Sequence, residues 1–178
     1  MKELPITIRT RPLKAILALP DGRIRLRRPG DGLYKNLAPG DYLWLREQFY
    51  LPARFDHRAP SDAEGPGVAP TLAVDLGDRD PADCDLGLSR AGYTLPMFWS
   101  RFHFAVLDVE RQPLLSITAA EARAEGFATR KAWLREWDDM VSSVSGRLKS
   151  RLSQSNPEVL VLTLQLHKAP LITRKAAA

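Results

Sequence analysis

The sequence is poor in side chains that bind metals or form cross-links. It has a single cysteine, Cys84, and three histidines, His57, His103 and His167. One thiol cannot form an internal disulfide, and the histidines do not stand at the spacing of zinc ligands. We therefore expect no disulfide framework, no metal site and no cofactor.

Long apolar runs are also missing. No segment approaches the ~20 residues that a bilayer span needs, and the stretch from Met1 to Pro5 lacks the apolar core of a signal peptide. The phosphate-binding patterns GxxxxGK(S/T) and GxGxxG do not occur. These absences predict a cytoplasmic protein with no membrane partner, outside the P-loop and dinucleotide-binding classes.

Charge is distributed unevenly along the 178 residues, although the net charge is only +5. Residues 1–58 have a net charge of +6 (12 basic and 6 acidic side chains), residues 59–90 of −5 (2 and 7), and residues 91–178 of +4 (12 and 8). Two basic segments therefore flank an acidic one. A basic field suits a polyanionic partner, but an arginine-rich solvated surface without a ligand explains the same numbers.

Hydrophobic periodicity predicts strands and helices in the order β, short α, β, β, long loop, β, α, α, β. The strands are predicted at Leu4–Arg9, Arg23–Arg27, Tyr42–Tyr50, Arg101–Glu110 and Glu158–Leu166, and the helices at about 12–17, 118–126 and 130–152. Because strand and helix do not alternate as in a doubly wound sheet, we expect an α+β fold with a small mixed sheet.

Local patterns orient three of these elements. Thr118 and Glu121 predict a capping box at the start of the second helix. The alternation from Tyr42 onward places Leu43 and Leu45 in the core and Trp44 and Arg46 on the opposite face. The long helix has an apolar stripe of Trp133, Trp137, Met140, Val141, Val144 and Leu148.

One domain is predicted over residues 1–168, with 52–92 as a long loop or insert and 169–178 as a flexible tail. Proline, glycine and aspartate dominate the segment 52–92, within which residues 71–76 have the composition of a short edge strand. A loop of this length in a small domain is often a lid or a binding loop.

The segment 23–27 alternates arginine with isoleucine or leucine, which predicts a strand with its aliphatic side chains inward. The opposite face would carry Arg23, Arg25 and Arg27, with Arg28 beside them. Alternate residues of a strand lie about 6.5–7 Å apart, close to the phosphate spacing of a single strand, and guanidinium groups suit phosphate oxygens. The alternative is a solvated strand face.

Three aromatic residues are candidates for stacking on unpaired bases: Tyr34, Trp44 and Trp99. For the two tryptophans a place in the core is the competing interpretation.

Glu47 is the best candidate for a catalytic carboxylate, because it follows the aromatic strand that is expected to border a cleft. Arg101 or Arg23 would then stabilise developing charge, and Ser100 would supply a pocket hydroxyl. The competing interpretation of Glu47 is an ion pair with a nearby arginine.

Five segments carry a family resemblance through their order along the chain. They are Arg11–Arg28, Pro39–Glu47, Met97–Arg101, Val106–Gly126 and Asn156-Pro157. In this order they resemble the ASCH-domain proteins of the PUA-like superfamily, in particular the ASCH-type proteins of phages and prophages. The segment PGDYLWLRE, for example, is similar to the PGDxLWVRE strand of that family.

The resemblance implies a PUA-like, small mixed β-barrel with flanking helices and a cleft for RNA or modified nucleotides. Some ASCH relatives hydrolyse acylated cytidine with a lysine and a threonine. In this chain those positions fall at Ile24 and Arg27, or at Arg23 and Leu26, depending on the alignment. Both alignments lose both residues, and arginine cannot replace a lysine that must shed its proton, so we do not expect acylcytidine amidohydrolase activity.

Three hypotheses of function follow. The first is a module that binds RNA or single-stranded nucleic acid in a basic cleft. The second is a ribonuclease with a divalent metal, or a hydrolase of a small nucleotide derivative. The third is a non-catalytic phage accessory protein. The sequence does not decide the oligomeric state.

Overall fold

The computed structural model describes residues 1–63, 68–142 and 152–170 of the chain. The strands in these ranges are β1 (Glu3–Thr7), β2 (Arg23–Pro29), β3 (Tyr42–Arg46), β4 (Phe49–Tyr50), β5 (Thr71–Leu72), β6 (His103–Pro113) and β7 (Glu158–His167). The helices are α1 (Thr10–Leu17), α2 (Ala73–Leu76), α3 (Ala119–Ala124) and α4 (Arg130–Ser142). The predicted α+β class is confirmed. No helix in the described ranges is long and apolar enough to cross a bilayer.

The main sheet is mixed and has the strand order β1-β3-β6-β7-β2. Strands β1 and β3 are parallel, and the other neighbours are antiparallel. In β7 the run from Val159 to Leu162 is buried at every residue. Its two leucines belong to the main core and its two valines pack with the tryptophans of α4, so both faces of the strand are covered.

The main core lies between the inner face of the sheet and α1. Ile24 and Leu26 of β2 and Leu43 and Leu45 of β3 all belong to it, as the alternation in the sequence predicts. Helix α1 adds the buried side chains of its apolar stripe, Leu13 and Ile16.

Helices α3 and α4 cover part of the outer face of the sheet. The predicted capping box is confirmed: Thr118 Oγ1 accepts a hydrogen bond from the Glu121 N–H (3.1 Å), and the Glu121 carboxylate accepts one from the Thr118 N–H (2.8 Å). Gly126 follows with a φ of +84°, which ends the helix. Helix α4 buries its predicted stripe as far as Val141, and the predicted continuation through Val144 and Leu148 lies outside the described residues.

The segment 52–92 has more structure than the predicted long loop. Strands β4 and β5 pair with each other, and the described part around them encloses a small apolar cluster of Phe49, Leu51, Ala63, Leu72 and Leu95. The edge strand predicted over 71–76 is wrong beyond Leu72, because Ala73–Leu76 form the helical turn α2. Of the predicted tail, residues 171–178 lie outside the described residues.

The sheet is not a closed barrel. Its edge strands are β1 and β2, and in the described residues no ladder joins them. Along β1 and its flanking residues, the even-numbered positions form the hydrogen bonds to β3, for example Tyr42 N–H to Lys2 O (2.9 Å) and Ile8 N–H to Arg46 O (3.4 Å). The carbonyls of the odd-numbered Pro5 and Thr7 therefore point away from the sheet. The Tyr34 hydroxyl donates to Pro5 O (2.8 Å) and Arg28 Nη2 to Thr7 O (3.4 Å). We call this junction, bridged by side chains, the seam.

Candidate nucleic-acid interface

The arginines of β2 do not form the open row that the sequence predicts. They lie on the outer face as expected, but α3 covers that face, and Arg27 is only 1% exposed. Arg27 Nη2 pairs with Glu121 Oε2 at 3.2 Å. Arg25 pairs with Glu121 Oε1 and with Glu110 Oε1, both at 3.1 Å. Arg23, at the far end of the strand, is exposed, and Arg25 is partly exposed.

Glu121 holds both of these arginines. Burial acts to raise the pKa of Glu121, but the hydrogen bond from the Thr118 N–H and the charge of Arg27 outweigh it and lower the pKa. Because its pKa is lowered, Glu121 stays ionised at neutral pH and remains paired with Arg25 and Arg27. Arg25 and Arg27 therefore have little capacity left for a phosphate.

Glu47 is a member of an ion-pair network rather than an isolated base. Its side chain is almost fully buried, and its oxygens accept hydrogen bonds from Arg101 Nε (3.1 Å) and Nη2 (3.0 Å). Burial raises the pKa of Glu47, and the hydrogen bonds and charge of Arg101 counteract that rise. Arg101 also pairs with Asp75 Oδ2 of α2 at 2.7 Å. The network therefore ties the segment 52–92 to the end of β3.

Ser100 and Trp99 are engaged within the fold. The buried Ser100 hydroxyl lies 2.8 Å from Leu45 O and 3.0 Å from Phe102 O, so its proton is used by a backbone carbonyl. The half-buried Trp99 ring packs edge-on against Phe49, with centroids 6.0 Å apart. Both contacts favour the structural interpretation of these residues.

The Trp44 ring forms a cation–π contact with Arg46. It is nearly buried on the face of β3 opposite the main core, and the Arg46 guanidinium carbon lies 4.5 Å from its ring centroid. In the described part of the chain no carboxylate lies within ion-pair distance of Arg46. Burial lowers the pKa of Arg46 and the nearby Tyr34 acts to raise it. Arg46 is thus a cation that the Trp44 ring holds in place and that no described carboxylate pairs with.

Arg28 and Tyr34 lie next to Arg46 and Trp44 across β1. In the parallel ladder Pro5 lies opposite Trp44, and its carbonyl accepts a hydrogen bond from the Tyr34 hydroxyl. Thr7 lies opposite Arg46, and its carbonyl accepts one from the Arg28 guanidinium. We call Arg28, Tyr34, Trp44 and Arg46 the seam cluster. Burial raises the pKa of Tyr34, although the charges of Arg28 and Arg46 act to lower it.

The seam cluster therefore contains two arginines that form no ion pair with a described carboxylate. Arg46 lies on the Trp44 ring, and Arg28 bonds backbone carbonyls and the Tyr34 hydroxyl. Arg28 donates to Arg27 O (2.8 Å) and Thr7 O, and it forms no ion pair with a described carboxylate. Sequence analysis identified every member of the cluster except Arg46. The alternation of β3 placed Arg46 on the same face as Trp44, and this was the available signal.

Glu125 is a further unusual group that sequence analysis missed. It is 5% exposed, and its Oε2 accepts a hydrogen bond from Trp133 Nε1 at 2.8 Å. Burial raises its pKa to about 7, despite that bond and the charges of Arg28 and Arg27. No local pattern marks the residue, because its burial arises from the packing of α3 against α4.

The histidines do not gather into a metal centre. His103 stacks on His167 with ring centroids 4.9 Å apart, and its Nδ1 lies 2.7 Å from Ala169 O. Within the ranges that the structure describes, no three His, Cys, Asp or Glu side chains are grouped so as to hold a metal ion.

Of the residues predicted from the sequence, the seam thus unites Arg28, Tyr34 and Trp44, while the others lie elsewhere or in ion pairs. Two guanidinium groups that lie beside aromatic rings and form no ion pair with a described carboxylate can bind an anion. Comparison of the chain with protein-family models, curated proteins and solved structures finds no match.

Proposed function

We propose that this protein binds RNA or another single-stranded nucleic acid through the seam cluster. The observation that carries the proposal is the presence of two arginines, Arg28 and Arg46, that form no ion pair with a described carboxylate. Ion pairs engage Arg25, Arg27 and Arg101, so a phosphate would have to displace a carboxylate from each of them. At the seam a phosphate would not have to break an ion pair with a described carboxylate.

The arginines of the seam are also held in place before a ligand arrives. Trp44 supports Arg46 from one side, and backbone carbonyls fix Arg28. A held guanidinium loses less rotamer entropy on binding than a free one, and its planar fork matches two phosphate oxygens. Its outer side can also stack on an unpaired base.

The resemblance to ASCH-domain proteins supports the same proposal. The segments that carry it include β2 with Arg28 and β3 with Trp44 and Arg46. We propose that the main sheet is a PUA-like barrel left open between β1 and β2, with the ligand bound along that opening.

The proposal is tested by fluorescence anisotropy with a labelled single-stranded RNA of about eight nucleotides at low salt. We expect Arg46→Gln and Arg28→Gln each to weaken binding about tenfold, the usual effect of losing one charge-assisted hydrogen bond. Arg123→Gln is the control, because it removes an exposed positive charge from α3 and leaves the seam intact. Thermal melting confirms that each variant is folded.

Two results contradict the proposal. One is the absence of RNA binding by the unmodified protein at low salt. The other is an equal loss of affinity in Arg46→Gln and Arg123→Gln, which indicates a diffuse charge effect rather than a site.

A further inference from the structure

A turn close to the seam cluster displays an aromatic side chain that the fold does not use. Tyr93 is 68% exposed, whereas Leu95 two residues later is 1% exposed and belongs to the small apolar cluster. The turn is held by hydrogen bonds from the Thr94 N–H to Ala91 O (3.0 Å) and from the Leu95 N–H to Gly92 O (2.9 Å). Tyr93 therefore projects from an anchored turn.

Gly92 brings this turn against the end of β3. A Cβ on Gly92 would lie 3.0 Å from the Glu47 carbonyl carbon and 3.1 Å from the Arg46 carbonyl oxygen. These distances are shorter than ordinary Cβ contacts and involve backbone atoms, so a side chain at this position would push the turn away from β3. Successive Cα atoms are about 3.8 Å apart, and Tyr93 therefore begins within one residue of the Arg46 backbone.

Arg101 is shared by the two carboxylates at this end of β3. Its ion pairs with Glu47 and Asp75 offset one of their two negative charges. Arg46, the residue before Glu47, forms no ion pair with a described carboxylate. Because the turn lies against the Arg46 backbone, a phosphate bound to Arg46 can have its neighbouring nucleotide over Tyr93.

We infer that Tyr93 stacks on the nucleobase adjacent to the phosphate that Arg46 binds. The inference rests on the proposed function and extends it in two ways. It assigns a role in ligand binding to the turn Gly92–Thr94, and it requires a ligand of at least two nucleotides with unpaired bases. Stacking on an exposed aromatic ring is tolerant of sequence, so little base preference is expected.

The test compares two labelled probes of about eight nucleotides, a single-stranded RNA and an abasic strand with the same phosphates. Tyr93→Ala is expected to weaken RNA binding about tenfold and to leave binding of the abasic strand unchanged. Tyr93→Phe keeps the ring and is expected to keep the affinity. Leu88→Ala is the control, because Leu88 is also a large exposed side chain (67%) and lies shortly before Tyr93 in the chain.

The outcomes separate the inference from the proposed function. If Tyr93→Ala binds RNA as tightly as the unmodified protein while Arg46→Gln is weakened, stacking on Tyr93 is refuted and the seam proposal stands. An equal loss on both probes also refutes stacking, because the abasic strand has no base. If the unmodified protein binds neither probe, both proposals fail.

Discussion

Arg27 and Glu121 form an ion pair of 3.2 Å between β2 and α3, in which the arginine side chain is inaccessible to solvent. The pair turns the outer face of β2 from a candidate binding surface into an interface between a strand and a helix. Removing one partner of such a pair leaves the other charge buried, and the cost is greater than the net value of the pair itself.

The first prediction concerns the stability of this interface. Glu121→Ala leaves the buried Arg27 without a counter-charge and removes the capping box of α3, so we expect the free energy of unfolding to fall by about 3 kcal/mol. Urea denaturation followed by circular dichroism measures the change. Glu158→Ala, which removes a carboxylate from an exposed ion pair with Arg111, should stay within about 1 kcal/mol of the original protein. Similar losses in the two variants would refute the role of the Arg27 pair.

The second prediction concerns Glu125, whose pKa is raised to about 7 by burial. The unfolded chain ionises this carboxyl near pH 4.5, so its contribution to stability is greatest below that pH. As the pH rises from 4.5 to about 7, the free energy of unfolding therefore falls by about 3 kcal/mol. Above pH 7 the carboxyl is ionised in both states, and this effect no longer changes with pH.

The matched variant is Glu125→Gln, which keeps the shape of the side chain and an oxygen that accepts from Trp133. We expect it to remove this decline and to be more stable than the original protein above pH 7. Chemical denaturation at several pH values measures both curves. Parallel curves for the two proteins would show that Glu125 does not titrate as predicted.

A third prediction separates the partners of Arg101. Arg101→Met leaves Glu47 buried and unpaired, so the free energy of unfolding should fall by about 2 kcal/mol. Asp75→Asn removes a half-exposed partner, and the loss should stay below about 1 kcal/mol. Hydrogen exchange should quicken at the amides of β4 and β5 in Arg101→Met, because Arg101 ties their segment to β3. If Asp75→Asn destabilises as much as Arg101→Met, the burial of Glu47 is not the dominant effect.

Gly92 provides a fourth prediction. Gly92→Ala places a methyl group 3.0 Å from the Glu47 backbone, which cannot yield easily, so we expect a loss of about 1–3 kcal/mol. Gly30→Ala is the matched control, because its nearest neighbour at 3.3 Å is the flexible end of Arg111. Thermal melting of the two variants measures the difference, and equal melting temperatures would argue against close packing of the turn.

The fold could be predicted where a local pattern determines it. The alternation in β2 and β3 predicted which side chains enter the core, and Thr118 with Glu121 predicted the start of α3. Such signals depend on residues that are close in sequence. The closure of the sheet could not be decided, because it depends on whether β1 and β2 meet across the whole fold.

The candidate site was harder to predict, for the same reason. Arg27 and Arg46 are both arginines on strand faces opposite the main core, and nothing nearby in the sequence distinguishes them. They differ because α3 brings Glu121 to Arg27, while no described carboxylate reaches Arg46. Whether an arginine is free for a ligand is therefore a property of tertiary packing.

The salt dependence of RNA binding by the unmodified protein and by Arg46→Gln tests the seam proposal most directly. Affinity for a single-stranded RNA is measured between about 50 and 200 mM salt, and the slope of its logarithm against the logarithm of salt reports the number of phosphate contacts. We expect weaker binding and a slope smaller by about one contact in Arg46→Gln. An unchanged slope and affinity would contradict binding at the seam cluster.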